Sequence, residues 1–535
     1  MNLIQDKWIK AVHFDQSVSL ISPCQIVQNN KTGNSIVDVA AARPDFKGAL
    51  FQFLIGLLQT VTPQNESEWH DLWETPPSVD ELSNRISTLV SAFDFSDNRP
   101  SFMQDYELKD GEKKPISSLL IESPGGKTLK DNLDHFIKRG TVTAICSHCA
   151  ALALFTLQIN APSGGVGHRT GLRGGGPLTT LVMPDEGANS QNPHNTLWHK
   201  LWLNVLPENI FYRKLNEYNW ENKDTAAIFP WMGPTRTSEK KDGKDTFPQD
   251  VHPYQMYWAM PRRIQIDFKN VTIGTCDICG SKKKTLIHNF LTKNYGVNYN
   301  GPWEHPLTPY SRRQQTEIPL PLHGQKGGVS YRNWLGLTLG VGESQIPAMT
   351  ISHYLDRRIH RISSNYHTSR HARIWAYGYD MDNMKARCWY DSLMPLYYIP
   401  QDLQNTIKDF VVDFIGTAEE VCANLRQEVK KAWFKRPKDV KGDWTFIDLA
   451  FWQATEEKFY YLIKGAIVSV EKDVSLNDLA KQWHTFLGRT ALDQFDRLAL
   501  SGPAEDLELK RVTQARHNLS LWLNTGKMVK KLLSN

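Results

Sequence analysis

The chain carries two short cysteine motifs, Cys146-Ser147-His148-Cys149 and Cys276-Asp277-Ile278-Cys279. In each motif two residues separate the cysteines, and this spacing lets both sulfurs of one turn reach the same ion. The 126 residues between the motifs (150–275) exceed the spacing of a compact zinc ribbon, so the ion is expected to clamp distant parts of one domain. We predict a structural zinc site formed by Cys146, Cys149, Cys276 and Cys279. Two unrelated pairs of thiols are the alternative.

The composition is that of a globular protein. The 535 residues are 40% hydrophobic, 22% charged and 11% aromatic, which suits a large core and about two to four domains. The longest apolar run, at 49–58, is too short to span a membrane, and the first residues lack the layout of a secretory signal. Seven cysteines are too few for a disulfide framework, so we expect a cytoplasmic protein with thiols or metal ligands.

The chain changes character at 395–400, where the pattern becomes almost continuously helical. Four amphipathic blocks follow, at 405–434, 444–468, 475–500 and 504–533. We therefore predict an α+β fold: a large mixed α/β domain at 1–395 that contains the zinc site, then a four-helix bundle at 401–535. The bundle has 20 basic and 19 acidic side chains. This balance favours protein docking or a structural role over direct contact with nucleic acid.

The segment 161–176 holds seven glycines in sixteen residues. It lacks the Gly-Lys-Ser/Thr of a P-loop and the strand and helix that flank a dinucleotide-binding turn, which disfavours nucleotide hydrolysis. Glycine lets the backbone approach a partner closely, and His168, Arg169 and Arg173 add hydrogen-bond donors for phosphate groups. A flexible hairpin or a pair of tight turns is the alternative.

Basic residues gather in three stretches of the chain. The first contains Lys127, Lys130, Lys138, Arg139, Arg169 and Arg173; the second contains Lys282, Lys283, Lys284 and Lys293; the third contains Arg357, Arg358, Arg361, Arg370 and Arg373. Tyr354 and Tyr366 add stacking surfaces to the third stretch. Because a zinc ion would bring the first two stretches together, the three favour a nucleic-acid partner over a merely solvated surface.

Several further segments carry a family resemblance. They are Ala151-Leu152-Ala153-Leu154-Phe155, Gly171-Leu172-Arg173-Gly174-Gly175, the opening segment 1–9 and the segment 377–387. Together with the two cysteine motifs, their combination and order resemble the CasA family, the large subunit of the type I-E CRISPR surveillance complex Cascade. The resemblance covers essentially the whole chain.

The resemblance implies a non-catalytic subunit that recognises the protospacer-adjacent motif in double-stranded DNA, helps to open the duplex and recruits a helicase-nuclease. It assigns contact with the motif to the glycine loop, here Ser163, Gly164, Gly165, Val166 and Gly167, with Arg169 beside it. A family lysine that enters the minor groove falls at Lys293 or Asn294. A wedge that separates the strands falls at Tyr377, Gly378 and Tyr379, where Tyr377 replaces the glutamine of better-known relatives. The alternative is that Tyr377 packs in the core, since the alternation of Trp375, Tyr377 and Tyr379 is also typical of one face of a strand.

The resemblance also implies a set of partners. A loop at Phe136, Ile137, Lys138 and Arg139 would reach the base of the complex and the 5′ handle of the guide RNA. The C-terminal bundle would contact the small subunits and target DNA. Other expected partners are the backbone and handle-binding subunits, and no membrane is expected.

Two other functions remain open from the residues alone. Asp380, Asp382 and Lys385 resemble fragments of a metal-dependent nuclease site, since paired carboxylates with a lysine can hold Mg²⁺ beside a phosphate. Alternatively, the chain is a zinc-stapled structural subunit that contacts only protein.

Overall fold

The chain folds into two compact units. The structure, a computed structural model, describes residues 1–28, 33–61, 63–124, 130, 140–185, 194–213, 215, 218, 221, 224–239, 241–314, 317–324, 326–359, 362, 372–382, 385–501 and 508–534. The first unit consists of Met1–Gly324, Ala348–Arg358 and Arg373–Asp391, and the second of Gln325–Pro347, Ile359–Ala372 and Ser392–Asn535. The sequence pattern predicts one boundary at 395–400, whereas the units divide after residue 391 and two earlier segments belong to the second unit.

The described strands and helices alternate through the first unit, and long helices dominate the second. In chain order the strands are β1 (Ile9–His13), β2 (Val18–Ile21), β3 (Ile36–Val39), β4 (Glu112–Pro115), β5 (Ile145–Cys146), β6 (Thr179–Met183), β7 (Asp245–Thr246), β8 (Arg263–Ile266), β9 (Val271–Gly274), β10 (Lys284–Ile287), β11 (Asn289–Lys293), β12 (Asn298–Tyr299), β13 (Tyr310–Ser311), β14 (Leu320–Pro321), β15 (Gln345–Ile346), β16 (Arg373–Asp382) and β17 (Lys385–Pro395). The helices are α1 (Pro44–Thr60), α2 (Glu66–Glu74), α3 (Val79–Ile86), α4 (Ser147–Asn160), α5 (Leu197–Trp202), α6 (Glu208–Arg213), α7 (Thr225–Ile228), α8 (Trp334–Thr338), α9 (Met349–His353), α10 (Gln404–Trp433), α11 (Thr445–Glu471), α12 (Asn477–Ala499), α13 (Leu509–Thr525) and α14 (Lys527–Ser534).

Helix α1 lies in the core of the first unit. The spacing of its apolar residues predicts one buried face, but the structure buries almost every residue from Asp45 to Gln59. Phe53 makes edge-on contacts with five aromatic rings, those of Trp8, Phe93, Phe102, Phe155 and Trp258. Edge-to-face aromatic pairs stabilise a core beyond the apolar area they bury. The N-terminal part of the chain therefore packs around this helix.

The first unit contains several small antiparallel sheets. Their strand orders are β2-β1-β3, β17-β16-β6, β5-β10-β9 and β4-β11-β8. The last two sheets are linked because only His288 separates β10 from β11. As a result, one nearly continuous extended segment passes through both sheets and fixes their relative position.

The C-terminal part of the chain is helical, as predicted, but its last block consists of two helices. The chain breaks at Gly526, between α13 and α14, and the Glu420 carboxylate accepts hydrogen bonds there from the backbone N–H groups of Lys527 and Met528, both at 2.9 Å. A carboxylate at this position satisfies unpaired N–H groups and favours the positive end of the helix dipole. The mixed α/β class with C-terminal helices is therefore confirmed. Among the described residues, no helix is long and apolar enough to cross a membrane.

Arg358 forms a buried ion pair that joins distant parts of the first unit. Its guanidinium is fully buried, donates to Glu66 Oε1 at 2.8 Å and lies 3.6 Å from the ring centroid of Trp69. It also donates to the carbonyls of Leu203 and Val205. Burial alone would raise the pKa of Glu66, but hydrogen bonding to His353 and the pairing with Arg358 outweigh it and lower the pKa from 4.5 to about 2.

We predict that Glu66→Gln destabilises the first unit by about 2 to 3 kcal/mol at pH 7, because it leaves the buried cation of Arg358 without its counter-ion. The folded-state pKa of Glu66 is depressed, so its contribution is present above pH 4.5 and is lost as the pH falls towards about 2. Urea unfolding of wild type and variant between pH 7 and 3 should show the difference shrinking below pH 4.5. Glu68→Gln, which removes an exposed pair with Arg85, is the control and should change stability by less than about 0.5 kcal/mol.

Candidate functional site

Four cysteine sulfurs lie together in the first unit. The Sγ atoms of Cys146, Cys149, Cys276 and Cys279 are all within 4.8 Å of one another, and those of Cys146 and Cys279 are 3.8 Å apart. Three of these residues are buried and Cys279 is half-buried. In a tetrahedral site with zinc–sulfur bonds of about 2.3 Å the ligands are about 3.8 Å apart. The cluster therefore fits a metal ion of this kind, and the structure brings the four predicted ligands together.

The electrostatics of the cluster favour a cation. Hydrogen bonding to the Cys146 and Cys276 sulfurs, reinforced by burial, raises the pKa of the Cys149 thiol far above its usual range. Hydrogen bonds from Cys146 and Cys149 lower the pKa of Cys276. A divalent cation supplies the charge that holds all four as thiolates.

Strands and turns present the sulfurs. Cys146 ends β5, which pairs with β10, and Cys149 lies in the first turn of α4. Cys276 and Cys279 lie on the turn between β9 and β10. In that turn Gly280 has a φ of +67° and its N–H donates to the Cys276 carbonyl at 3.0 Å. Each motif is therefore a tight turn that directs two sulfurs to one point.

Asp277 joins the two motifs independently of any metal. Its carboxylate accepts hydrogen bonds from the backbone N–H groups of Thr143 and Ala144 at 2.7 and 2.8 Å. Its own N–H donates to the Ala144 carbonyl at 3.0 Å. The hydrogen bond from the Thr143 N–H is the main reason why the pKa of Asp277 is lowered.

Both chain segments that leave the cysteine cluster lead to the glycine loop, defined here as residues 161–171. Helix α4 runs from the first motif to Asn160, and the glycine loop follows it directly. From the second motif, β10 and β11 run to Lys293. The two ends of this frame meet, because Asn294 Nδ2 donates to the Val166 carbonyl and the Tyr295 N–H donates to the Gly167 carbonyl, both at 2.8 Å.

Two glycines are needed for this loop conformation. Gly167 has a φ of +77°, and an added Cβ would lie 2.9 Å from Cβ of Asn294, so the close approach of the two segments excludes a side chain. Gly165 has a φ of +110°, and an added Cβ there would meet no atom within 4 Å. Glycine is therefore required at position 165 only because of its backbone conformation, and the position faces open space.

The base of the glycine loop is held by hydrogen bonds. The Gly171 N–H donates to the Ala161 carbonyl at 3.0 Å, and the Gly176 N–H donates to the Asn160 carbonyl at 3.1 Å. The Arg262 guanidinium donates to the Pro162 carbonyl. The tip is exposed: Gly164, Gly165 and Val166 face solvent, with Val166 78% exposed, and Ser163 is half-buried.

The surface beside this tip is basic. Lys293 is exposed at the end of β11. Arg169 donates through Nε to Ser238 Oγ at 2.7 Å, and its guanidinium lies 5.9 Å from the ring centroid of Tyr295. Arg169 is therefore fixed beside the loop. The structure places the predicted glycine loop, Arg169, Lys293 and Asn294 on one surface.

Two further cations at this surface were not identified from the sequence. Desolvation lowers the pKa of His168, and Arg262 and Lys114 lower it further through their charge, whereas Glu112, which pairs with Lys114, raises it. All three charged groups therefore lie near the loop. Lys114 lies on β4, which pairs with β11. Neither residue belongs to a basic cluster or a motif, so only the strand pairing and the loop contact reveal them.

Arg173 does not belong to this surface, contrary to the sequence prediction. Its guanidinium is fully buried and donates to Gln52 Oε1 at 2.6 Å and to the hydroxyls of Thr179 and Thr308 at 3.0 Å. Burial lowers its pKa from 12.5 to about 10. The side chain thus stabilises the interior beneath the glycine segment and cannot contact a phosphate from this position.

The predicted wedge is also buried. Tyr377 is 1% exposed, its hydroxyl donates to the Gly48 carbonyl at 3.0 Å, and its ring packs between Trp375 and Trp389. Tyr379 is 3% exposed and bonds to Asp45. Gly378 is buried against the Pro177 carbonyl. This burial contradicts the prediction that Tyr377 offers a free ring for an opened base pair: alternation along β16 places these tyrosines in the core.

The three basic stretches differ in exposure. Lys282 and Lys283 in the second stretch are exposed. In the third stretch Arg358 is buried with Glu66 and Tyr354 is 2% exposed, so this stretch does not form the continuous surface that the sequence predicts. Arg361, Arg370 and Tyr366 lie outside the described residues, as do Lys127 and the loop residues Phe136, Ile137, Lys138 and Arg139.

The residues of the nuclease alternative do not form a ligand cluster. Asp380 is 3% exposed and pairs with Arg387 at 2.7 Å. The position of the Asp382 side chain is not described, and Lys385 is exposed on β17. Within the part of the chain that the structure describes, the cysteine cluster is the one group of three or more His, Cys, Asp or Glu side chains arranged to hold an ion.

Comparison with known proteins gives a consistent result for the whole chain. Residues 2–494 match the family model of the CRISPR-associated protein Cse1. The fold is similar to the structure of Thermus thermophilus CasA (Cse1), with a TM-score of 0.66 and 17% identity over 99% of both chains. It is also similar to Thermobifida fusca Cse1, with a TM-score of 0.63 and 16% identity over 99% of this chain and 98% of that one.

A third similar chain belongs to a structure described as a CRISPR RNA-guided surveillance complex, with a TM-score of 0.62 and 12% identity over 98% of this chain and 99% of that one. At these identities the structural matches show a shared fold. Because the family model matches nearly the entire chain, the sequence resemblance is confirmed: this chain belongs to the Cse1 (CasA) family of CRISPR-associated proteins.

Proposed function

We propose that this chain is the large, non-catalytic subunit of a type I-E Cascade complex. In this role it recognises the protospacer-adjacent motif in double-stranded DNA, helps to open the duplex for guide-RNA pairing and recruits the helicase-nuclease. Family membership supports a place in CRISPR defence, and the fold resembles that of a chain from an RNA-guided surveillance complex. The motif-reading role is supported by the geometry of the glycine loop.

One contact carries the proposal: the hydrogen bonds that join the glycine loop to Asn294 and Tyr295. They place an exposed, side-chain-poor backbone beside the exposed cation of Lys293. A backbone can follow the floor of a minor groove closely, and a lysine beside it can neutralise phosphate or accompany it into the groove. Minor-groove patterns are degenerate, so this arrangement suits acceptance of several related motifs.

The remaining parts of the proposal rest on the family resemblance. Phe136, Ile137, Lys138 and Arg139 are proposed to reach the guide-RNA handle and the base of the complex. The C-terminal helices, as a four-helix bundle, are proposed to dock the small subunits. Strand opening is assigned to the subunit but not to Tyr377 or Tyr379, since both rings are buried. We propose the cytoplasm as the compartment in which the complex meets foreign DNA.

Zinc is the proposed ion of the cysteine cluster. Four sulfur ligands leave no open position for substrate on a tetrahedral ion, which suits a structural role. Cys146, Cys149, Cys276 and Cys279 would hold the ion, and the chain's own contribution is to keep the two motifs in register through Asp277.

For motif recognition we predict that Gly165→Ala weakens binding of the assembled complex to motif-bearing duplex DNA by at least about tenfold, because Ala disfavours the φ of +110° that the loop conformation requires and adds a methyl group at the exposed tip. Gel-shift titration with matched targets, with and without the motif, gives the measurement. Gly342→Ala is the control, since Gly342 also has a positive φ and no neighbours within 4 Å. An equal loss on both targets would contradict motif reading by the loop.

For Lys293 we predict that Lys293→Gln reduces the slope of log affinity against log salt concentration by about 0.9 on duplex DNA, because one cation–phosphate contact is removed. Titrations at several salt concentrations with the assembled complex measure the slope. Lys282→Gln, at an exposed lysine in the turn between β9 and β10, should leave it unchanged. An unchanged slope for Lys293→Gln would remove this residue from the interface.

For the metal we predict one zinc per chain in the purified protein and a loss of most of it in Cys149→Ser, with a lower melting temperature. Elemental analysis by mass spectrometry and thermal unfolding are the measurements. Cys388→Ser changes an exposed cysteine outside the cluster and should keep both values. Full zinc occupancy in Cys149→Ser would show that the ion is bound elsewhere.

A further inference from the structure

The second unit has a basic and aromatic surface that is hidden by the near-equal numbers of basic and acidic residues in 401–535. It lies on the connector 434–444 between α10, which ends at Trp433, and α11, which begins at Thr445. The connector carries four cations, Lys435, Arg436, Lys438 and Lys441, all exposed. None of the four has a carboxylate partner among the described residues.

The connector has two acidic side chains, Asp439 and Asp443, against these four cations. Asp443 accepts a hydrogen bond at 2.9 Å from the N–H of Thr445, the first residue of α11, and it pairs with Lys326 at 3.2 Å. The hydrogen bonds from Thr445 are the main cause that lowers the pKa of Asp443 to about 2, so this carboxylate is ionised and already engaged. Asp439 is the one remaining carboxylate of the connector.

Aromatic rings lie at both ends of the connector. Trp433 and Phe446 are nearly parallel, with an interplanar angle of 13° and centroids 6.3 Å apart, and Phe446 is 47% exposed. Trp433 is fixed by its indole N–H, which donates to the Leu498 carbonyl at 3.1 Å. Lys430 lies 4.6 Å from the ring centroid of Trp444, so a cation already stacks on an aromatic face here. The rings are held in place before any ligand arrives.

From this arrangement we infer that the connector 434–444, with Trp433 and Phe446, is a binding site for single-stranded nucleic acid. Exposed cations attract the phosphates, and a half-exposed ring on a fixed neighbour offers a stacking surface for an unpaired base. An acidic protein surface could pair with the cations, but it has no unpaired base to stack on the ring. In a duplex the base faces are buried in the helix, so they cannot stack on the ring either.

The inference rests on the proposed function in one respect only. The proposed function supplies the single strand, because opening a target duplex releases one. The connector shares no residue with the glycine loop, so its variants and those of Gly165 and Lys293 test different functions. A displaced DNA strand and an exposed guide RNA share the same chemistry of phosphates and unpaired bases. Both are therefore needed as probes.

The test uses the isolated full-length chain with fluorescent oligothymidylate and oligouridylate probes of about 20 nucleotides, measured by anisotropy at several salt concentrations. Replacing the four connector cations by Gln should reduce the salt slope by about 2.8, since each lost contact contributes about 0.7 on single strands. Affinity at low salt should fall more than tenfold. Lys481→Gln, at an exposed lysine on α12, is the charge control and should change nothing.

Phe446→Leu tests the aromatic part, because it keeps an apolar side chain at the start of α11 and removes only the ring. We expect about fivefold or greater loss of single-strand affinity and no change on duplex DNA. Sensitivity with only one of the two probes would support the site and identify the strand as DNA or RNA. If the charge variant loses affinity while Phe446→Leu does not, the surface recognises charge alone and the inference fails. It also fails if neither variant changes binding, or if duplex and single strand respond equally.

Discussion

The convergence of four cysteine sulfurs is the constraint on which the position of the glycine loop and the strands beside it depends. Cys146 and Cys276 are 130 positions apart, yet the four sulfurs lie within 4.8 Å of one another. Closing a chain segment of this length costs about 4 kcal/mol in entropy, so the contact needs a strong interaction to maintain it. A metal bound by four thiolates is of that strength. The hydrogen bonds of Asp277 add a contribution that needs no metal.

The same constraint determines the position of the glycine loop. Helix α4 leads away from one cysteine motif and β10–β11 from the other, and the two paths meet again where Asn294 and Tyr295 bond to the loop. Because the loop is attached to helix α4 at one side and hydrogen-bonded to Asn294 and Tyr295 at the other, its motion is restricted although it is rich in glycine. Such pre-organisation is valuable at a recognition site, because little entropy remains to be lost on binding. The glycine content of the loop is therefore compatible with a defined shape.

Local spacing in the sequence is sufficient to predict some of these features and insufficient to predict others. The cysteine motifs, the glycine segment and the amphipathic blocks are short-range patterns, and the structure contains the cluster, the loop and the C-terminal helices. Burial is a long-range property. Arg358 pairs with Glu66 at a separation of 292 residues, and Tyr377 bonds to Gly48 at a separation of 329. Counting charges along the chain therefore assigned Arg173 and Arg358 to a surface when both are interior, and it missed Lys114, which β4 brings to the loop.

In the second unit, counting charges hides a basic surface instead of predicting one that is absent. The 20 basic and 19 acidic residues of 401–535 suggest a neutral surface, but many of these acids are engaged within the unit. Asp413 pairs with Lys531, Asp448 with Arg426 and Asp496 with Arg516. Since each of these pairs cancels one cation, the positive charge that remains free is concentrated where acids are few. The connector 434–444 is such a place, because it has four cations and Asp439 is its one carboxylate outside the pair of Asp443 with Lys326. A net charge near zero thus coexists with a strongly basic local surface, because neutrality is reached by pairing between helices and not by even mixing along the chain.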